Sequence, residues 1–321
     1  MNKKALTAVL GASGYTGMEL VRLLRRHPGL SLHWATSESE AGRPVRGTGL
    51  EYLPVTEVPL AEADVVFACL PHGESGEWAL RAREGGARVI DLSADLRAGE
   101  AGAVYGIPEL WREAIQGGCL VANPGCYPTG VLLTLAPLIR NGLVDAGRPV
   151  IIDAASGVTG AGRTPKRDML FGEVADDYRA YGVGNTHRHV PEIAEGLARI
   201  AGEKALEFVF TPHLLPVRRG ILETLYVPVA PDVDARDAVS ALQSAYAGEP
   251  FIDVLERGLP SLHDVVGRNT VAIGCAAVER LRRPMILCVA AFDNLLKGAA
   301  GQALQNANLM LGYGEQEGLP L

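Results

Sequence analysis

Gly11-Ala12-Ser13-Gly14-Tyr15-Thr16-Gly17 stands between an apolar run, Leu6-Thr7-Ala8-Val9-Leu10, and a segment, 17–26, whose apolar residues recur at helical spacing. Strand, glycine turn and helix in that order open a βαβ unit, and the alternation continues along the chain. Further strands are expected at 30–36, 64–70, 88–92 and 119–122, with a helix at 74–84. This pattern predicts an α/β fold with a Rossmann-type, doubly wound domain. Its first turn offers backbone N–H groups at a helix N-terminus, where a dinucleotide phosphate binds. The glycine spacing is G-x-x-G-x-x-G rather than the commoner G-x-G-x-x-G, so position carries more of this reading than the pattern does. Gly11, Ser13, Gly14, Tyr15, Thr16 and Gly17 are the candidate cofactor residues of the turn.

The end of the second strand discriminates between dinucleotides. An Asp there would grip the ribose hydroxyls of NAD. This chain has Thr36 and Ser37 instead, whose hydroxyls can bond a 2′-phosphate, with Arg43 or Arg46 to add charge. Glu38, one place further on, is the competing NAD-type acceptor. NADP is the expected cofactor.

From about residue 150 the texture changes. Strand-like runs at 150–155, 206–215, 221–229, 270–278 and 285–292 lie too close together for helical crossovers, so a mixed sheet is expected. Helices near 191–201 and 235–247 would cover one face, and 295–311 turns helical again, expected to pack back on the first domain. The division is 1–147 plus 295–321 for dinucleotide binding, and 148–294 as an α+β domain for substrate and oligomer contacts.

The 321 residues suffice for two domains with full cores, and the net charge of −7 offers no basic stripe for nucleic acid. Met1 to Lys4 leads straight into a strand without a secretory apolar region, and no apolar run is long enough to span a bilayer, so a cytoplasmic protein is expected. Cys69, Cys119, Cys275 and Cys288 lie in or beside strand-like runs and read as core thiols. No CxxC pair marks a metal or redox clip, and no metal is expected.

Cys126 differs from those four. In Asn123-Pro124-Gly125-Cys126-Tyr127-Pro128-Thr129-Gly130 it sits on a turn ahead of an apolar helix, with Thr129 or a neighbour as cap and Pro128 in the first turn. Unpaired N–H groups and the positive end of the helix dipole favour its thiolate there. Further along, Asn185-Thr186-His187-Arg188-His189-Val190-Pro191-Glu192 sets two histidines on one side of an extended segment. Without a third ligand nearby they make a poor metal site, whereas either can serve the thiol as acid/base. Arg188 can bind an anion or a surface carboxylate. A second glycine-rich loop, 153–163, has no helix pattern behind it; Ser156, Gly157 and Arg163 in it suit a small anionic substrate.

In order, GASGYTG at 11–17, LPHG at 70–73, DLSADLR at 91–97, YGIPE at 105–109, NPGCYPTG at 123–130, SGVTGAGR at 156–163, HRHVPE at 187–192 and DNLLKGAAGQALQNAN at 293–308 resemble the aspartate-semialdehyde-dehydrogenase-like family. The resemblance covers essentially the whole chain, with Val158-Thr159 and Val190 as conservative departures. It implies an NADP-dependent enzyme of arginine biosynthesis that reduces the acyl phosphate N-acetyl-γ-glutamyl phosphate to the semialdehyde through a Cys126 thioester. It also implies His189 as acid/base, with His187 the alternative, and Ser156, Arg163 and Arg188 on substrate carboxylate or phosphate. Asn294, Lys297 and Gly298 would approach the nicotinamide and phosphate region, and the enzyme would be a homodimer or homotetramer.

The nearest rival is reduction of carrier-protein-bound 2-aminoadipyl 6-phosphate in lysine biosynthesis. Acidic carriers call for a basic docking surface, which the acidic balance of this chain disfavours. Aspartate-semialdehyde dehydrogenase proper fits HRHVPE and SGVTGAGR poorly. A non-catalytic NADP sensor would have no use for the thiol, the histidine pair and the second glycine loop together.

Overall fold

The computed structural model describes residues 4–202 and 206–321; the expectation for Met1 to Lys3 lies outside the described residues. The chain forms two compact units. One runs to Gly125 and includes Ala299–Pro320; the other is Cys126–Gly298. The change of unit falls one helix before the 147/148 boundary drawn on the sequence.

The first unit is a six-stranded parallel sheet of β1 (Ala5–Leu10), β2 (Leu30–Ala35), β3 (Val65–Ala68), β4 (Arg88–Asp91), β5 (Val104–Tyr105) and β6 (Leu120–Ala122) in the order β2-β1-β3-β4-β6-β5. Ala8, Val9 and Leu10 of β1 and all four residues of β3 are fully buried, the continuous apolar signature of parallel strands covered on both faces. Helices α1 (Tyr15–Leu24), α2 (Ser75–Glu84) and α3 (Pro108–Gly117) belong to this unit. The sequence reading assigns no strand or helix to 104–117, where the structure has β5 and α3. Pro108 opens α3 at a position where its missing N–H costs nothing, and only Pro108 and Ile115 of the helix are buried.

In the second unit, β7 (Val150–Gly157), β8 (Arg179–Ala180), β9 (Phe208–Leu215), β10 (Ile221–Pro228), β11 (Ile252–Val254), β12 (Val271–Ala277) and β13 (Met285–Phe292) form a mixed sheet ordered β11-β12-β13-β10-β7-β9-β8. The central pairs β7/β10, β10/β13 and β13/β12 are antiparallel, while β7/β9 and β11/β12 are parallel. Helices α4 (Cys126–Arg140), α6 (Val190–Ala201) and α7 (Ala235–Ala245) complete it, with α6 and α7 both packed on α4; α5 (Phe171–Val174) and α8 (Leu262–Val265) are single turns. Asp234 caps α7 in a reciprocal capping box with Asp237.

The last helix, α9 (Gly301–Leu311), follows a π-turn at Leu296–Ala300 and packs on α1, α3 and β4 of the first unit. Its polar face is buried there. Asn308 Oδ1 lies 2.9 Å from His27 Nε2, and Asn306 Nδ2 donates to Gly106 O and to Asn123 Oδ1. Among the described residues no helix is long and apolar enough to cross a membrane.

Candidate active site

In the first unit the glycine turn is clasped to the end of β2. Gly11 N–H donates to Thr36 Oγ1 at 2.9 Å, Ala12 N–H donates to Thr36 O at 2.8 Å, and the Ser13 and Ser37 hydroxyls lie 2.7 Å apart. A Cβ on Gly11 would meet Cys69 O at 2.5 Å, and one on Gly17 would meet Gly11 O at 2.4 Å. The backbone therefore closes on itself only because neither residue has a side chain. Gly14 is the N-cap of α1, and no side chain caps the helix, so its first N–H groups are left for a ligand. Ser13, Gly14, Tyr15 and Thr16 are half-buried around this end. Thr36 is buried and its oxygen already accepts from Gly11, so it shapes the turn, while Ser37 shares its hydroxyl with Ser13 and with Ser39. Glu38 is turned to other use: its carboxylate accepts from Val55 N–H at 2.8 Å. Arg43 is paired with Glu40. A glycine turn bordered by hydroxyls, with the nearby Glu38 carboxylate engaged, fits a nicotinamide dinucleotide.

The second unit begins with Cys126 as the first residue of α4. The helix starts three places before Thr129, which is buried inside it rather than capping it. Pro128 permits this because an N–H in the first turn has no acceptor within the helix. Every residue from Tyr127 to Leu138 is buried, so α4 is held rigidly and its N-terminal turn presents the half-buried thiol.

Tyr127 connects that turn to the histidines. Its ring meets His189 edge-on at 5.8 Å, His187 at 5.6 Å and Phe210 at 5.2 Å. Its hydroxyl lies 2.9 Å from that of Tyr181 and also bonds Ser156. The two histidine rings stack edge to face at 4.9 Å. His187 Nδ1 accepts from the backbone N–H of His189 at 3.1 Å, and burial and then the Arg188 charge push the His187 pKa down to about 4. His187 is therefore a neutral imidazole with a fixed tautomer. His189 is buried and is the N-cap of α6. Burial first, then the nearby Cys126 thiol, raise Tyr181 to about 12, despite a lowering contribution from its bond to Tyr127. The tyrosine pair therefore stays protonated.

The segment after β13 is held by Asp293, which the sequence reading does not single out. Fully buried, it accepts from Leu295 N–H, Leu296 N–H, Gly267 N–H and the Arg219 guanidinium. This fixes the turn carrying Lys297 and Gly298. A Cβ on Gly298 would stand 3.1 Å from Cys126 Cβ, so this backbone runs directly against the thiol. Lys297 is fully buried, with its Nζ 5.8 Å from the Phe251 ring centroid. Asn294 binds at both ends within the unit: Oδ1 accepts from Gly220 N–H at 2.8 Å and Nδ2 donates to Thr159 Oγ1 at 3.0 Å. It braces the second glycine loop. Of the cofactor candidates, then, Gly11 to Gly17, Thr36 and Ser37 come together in the first unit, whereas Asn294, Lys297 and Gly298 belong with Cys126 in the second.

Ser156 and Gly157 end β7 beside this cluster, and Gly157 N–H donates to Gly220 O. Arg163 is exposed past the 3₁₀ turn Val158–Ala161, and Arg188 is exposed beside His187. Glu223, also unanticipated, is fully buried at the centre of β10; neither carboxylate oxygen has a hydrogen-bond partner, and a Cβ on Gly130 of α4 would collide with it. Burial without a cation pushes its pKa well up, so it is a neutral acid. Strand alternation alone would place residue 223 inward; nothing in the local sequence marks its lack of partners.

A family model described as semialdehyde dehydrogenase, NAD binding domain, matches residues 7–118, and one described as semialdehyde dehydrogenase, dimerisation domain, matches 126–294. The N-acetyl-gamma-glutamyl-phosphate reductase of Citrifermentans bemidjiense is 46% identical, over 98% of this chain and 97% of the relative. That of Magnetococcus marinus is 43% identical, over 99% and 98%. Among solved structures, aspartate semialdehyde dehydrogenase II of Vibrio cholerae complexed with ASA matches with a TM-score of 0.79 at 20% identity, covering 97% of this chain and 99% of that one. Aspartate semialdehyde dehydrogenase with NADP from Candida albicans gives 0.74 at 19%, covering 96% and 99%. At such identities the structural likeness concerns the fold.

Proposed function

The chain belongs to the N-acetyl-γ-glutamyl-phosphate reductase family of semialdehyde dehydrogenases, and on that premise we propose that it reduces N-acetyl-γ-glutamyl phosphate to N-acetylglutamate 5-semialdehyde and phosphate, with NADPH, in arginine biosynthesis. The observation that carries this reading is the thiol of Cys126 at the first position of a buried helix, joined to a histidine pair through Tyr127.

The chemistry follows from those groups. The N-terminus of α4 favours the Cys126 thiolate, and His189 takes the proton that the thiol gives up. The thiolate attacks the acyl carbon, the bond to phosphate oxygen breaks with its electron pair, and His189 returns the proton to the departing phosphate. A thioester on Cys126 remains, a better hydride acceptor than a carboxylate. NADPH, when bound, would supply the hydride to its carbonyl carbon. Collapse of the resulting hemithioacetal oxyanion releases the aldehyde and restores the thiolate. His187, kept neutral, orients His189 without adding a second positive charge. Ser156, Gly157, Arg163 and Arg188 receive the substrate's carboxylate and phosphate.

The glycine turn, Ser13 and Ser37 hold the dinucleotide, the missing acidic residue at Thr36–Ser37 favouring the 2′-phosphate form. Gly298 lets the backbone run close beside Cys126, and Lys297 lies buried next to it. The first unit serves the dinucleotide, and the second serves substrate and subunit contacts in a cytoplasmic homodimer or homotetramer. The relatives do not favour a carrier-bound lysine-pathway substrate.

The reverse reaction tests the reading. N-acetylglutamate 5-semialdehyde and NADP⁺ should yield NADPH only when inorganic phosphate is present, and Cys126→Ala should lose at least ~10³-fold in rate while still binding NADP⁺. Phosphate-independent turnover, or an active Cys126→Ala, would sink the thioester route.

A further inference from the structure

The sheet of the second unit holds two more sulfurs, which the reaction does not use. Cys275 on β12 and Cys288 on β13 face each other directly in the antiparallel ladder, and their Sγ atoms are 3.3 Å apart, one thiol donating to the other. Neither is in a disulfide. Cys288 is buried and Cys275 half-buried, and the connection just beyond them is exposed from 279 to 283, so a reagent reaches Cys275 from that end. Directly opposed residues of antiparallel strands have Cα atoms about 4.5–5.5 Å apart. A disulfide spans about 4.4–6.8 Å between Cα atoms. The bond can therefore close by side-chain rotation while the ladder stays as it is.

We propose that Cys275 and Cys288 form a vicinal dithiol, a site of reversible covalent modification that peroxides oxidise to a cross-strand disulfide and trivalent arsenicals bridge. In the oxidation, Cys275 Sγ attacks one peroxide oxygen; the O–O bond breaks, one water leaves, and Cys275 becomes a sulfenic acid. Cys288 Sγ then displaces the hydroxyl from Cys275, its own proton leaving with that oxygen as a second water, and the S–S bond forms. Two thiols thus give two electrons to one peroxide, and an external thiol reverses the change by exchange. Proximity is what makes the site: the second sulfur waits within van der Waals reach, so the sulfenic acid is captured before further oxidation. The cross-link would tie β12 to the strand that leads through Phe292 into Asp293–Gly298, the segment lying against Cys126, without touching a reacting atom.

The test uses the intact protein and its Cys126→Ala variant, exposed to hydrogen peroxide, alkylated and digested for mass spectrometry. The expected result is a peptide pair joined at Cys275 and Cys288 in most molecules, within single chains on a non-reducing gel, and undone by dithiothreitol. Phenylarsine oxide should bind the Cys126→Ala protein once per chain, and Cys275→Ser should remove that binding. Both cysteines recovered alkylated, or Cys275 found as sulfinic acid with no cross-link, would overturn the proposal. A cross-link found only between chains through the exposed Cys119 would overturn it equally. None of these readouts depends on the catalytic reading.

Discussion

Two strand-to-helix turns in this chain begin alike and end differently. After β1 comes a glycine turn and then α1, opening at Tyr15 with no side chain on its N-terminus; after β6 comes Asn123-Pro124-Gly125 and then α4, opening at Cys126. Both place backbone N–H groups at the positive end of a dipole. On the proposed function, the first would hold a ligand's phosphate. On the proposed mechanism, the second would stabilise its own thiolate. Each helix also buries a carboxylate at its fifth residue by a different device: Glu19 of α1 is bound by Arg22, whereas Glu223 reaches Gly130 of α4 from β10 and is neutralised by a proton. A helix end is a generic electrostatic device, and the atom placed there determines whether it binds an anion or makes one.

Substitutions at the two ends should separate the roles. Gly17→Ala should have the largest effect, because its Cβ would collide with Gly11 O and the Ala12 backbone, which cannot yield cheaply. We expect a loss of ~1–3 kcal/mol in stability and at least ~10-fold in NADPH affinity, with Cys126 alkylation at its normal rate; unchanged NADPH binding in calorimetry would remove α1 from the phosphate site. Gly298→Ala is the mirror experiment. Its Cβ would press on Cys126 Cβ at 3.1 Å, a contact relieved by shifts of a few tenths of an ångström. Such misplacement of the nucleophile should lower kcat by ~10- to 100-fold with little change in melting temperature, and wild-type kcat would show that the thiol tolerates displacement.

Glu223→Gln should act on stability alone, and only above the ordinary carboxyl pKa. The carboxyl has a folded pKa raised well above its ordinary 4.5. Below about pH 4.5 it is protonated in both states and carries no penalty. As pH rises from there, the unfolded chain ionises while the folded one keeps its proton, and stability falls by up to ~1.4 kcal/mol per pH unit until the folded pKa is reached. The amide abolishes this slope, so denaturant titrations of wild type and variant should agree near pH 4 and favour the variant at pH 8. Equal stabilities at both values would mean that Glu223 is ionised and paired in the folded protein.

The parallel unit was legible because its signals are local. Apolar runs such as Ala8 to Leu10, glycine turns and the helix spacing after Gly17 each lie within one short window. The reading fails at α3, which it does not assign and whose face buries little, and at the start of α4, which lies three residues before the Thr129 cap it favoured. For Asn294 the resemblance implies a place near the cofactor; the structure adds its bonds to Gly220 and Thr159, which no local signal announces.

By itself the sequence determined a doubly wound unit followed by a mixed sheet, a thiol at a helix start, a histidine pair and a phosphate turn without an acidic ribose grip. Periodicity, turn chemistry and backbone sterics act over a few residues, so each of these can be read in place. Only the tertiary structure decided that Tyr127 joins thiol to histidines, that Asp293 fixes the turn bearing Gly298, that Glu223 is buried without a partner, and that Cys275 meets Cys288. Those facts depend on strand register and on which faces exclude water, and both are set by packing among segments far apart in the chain.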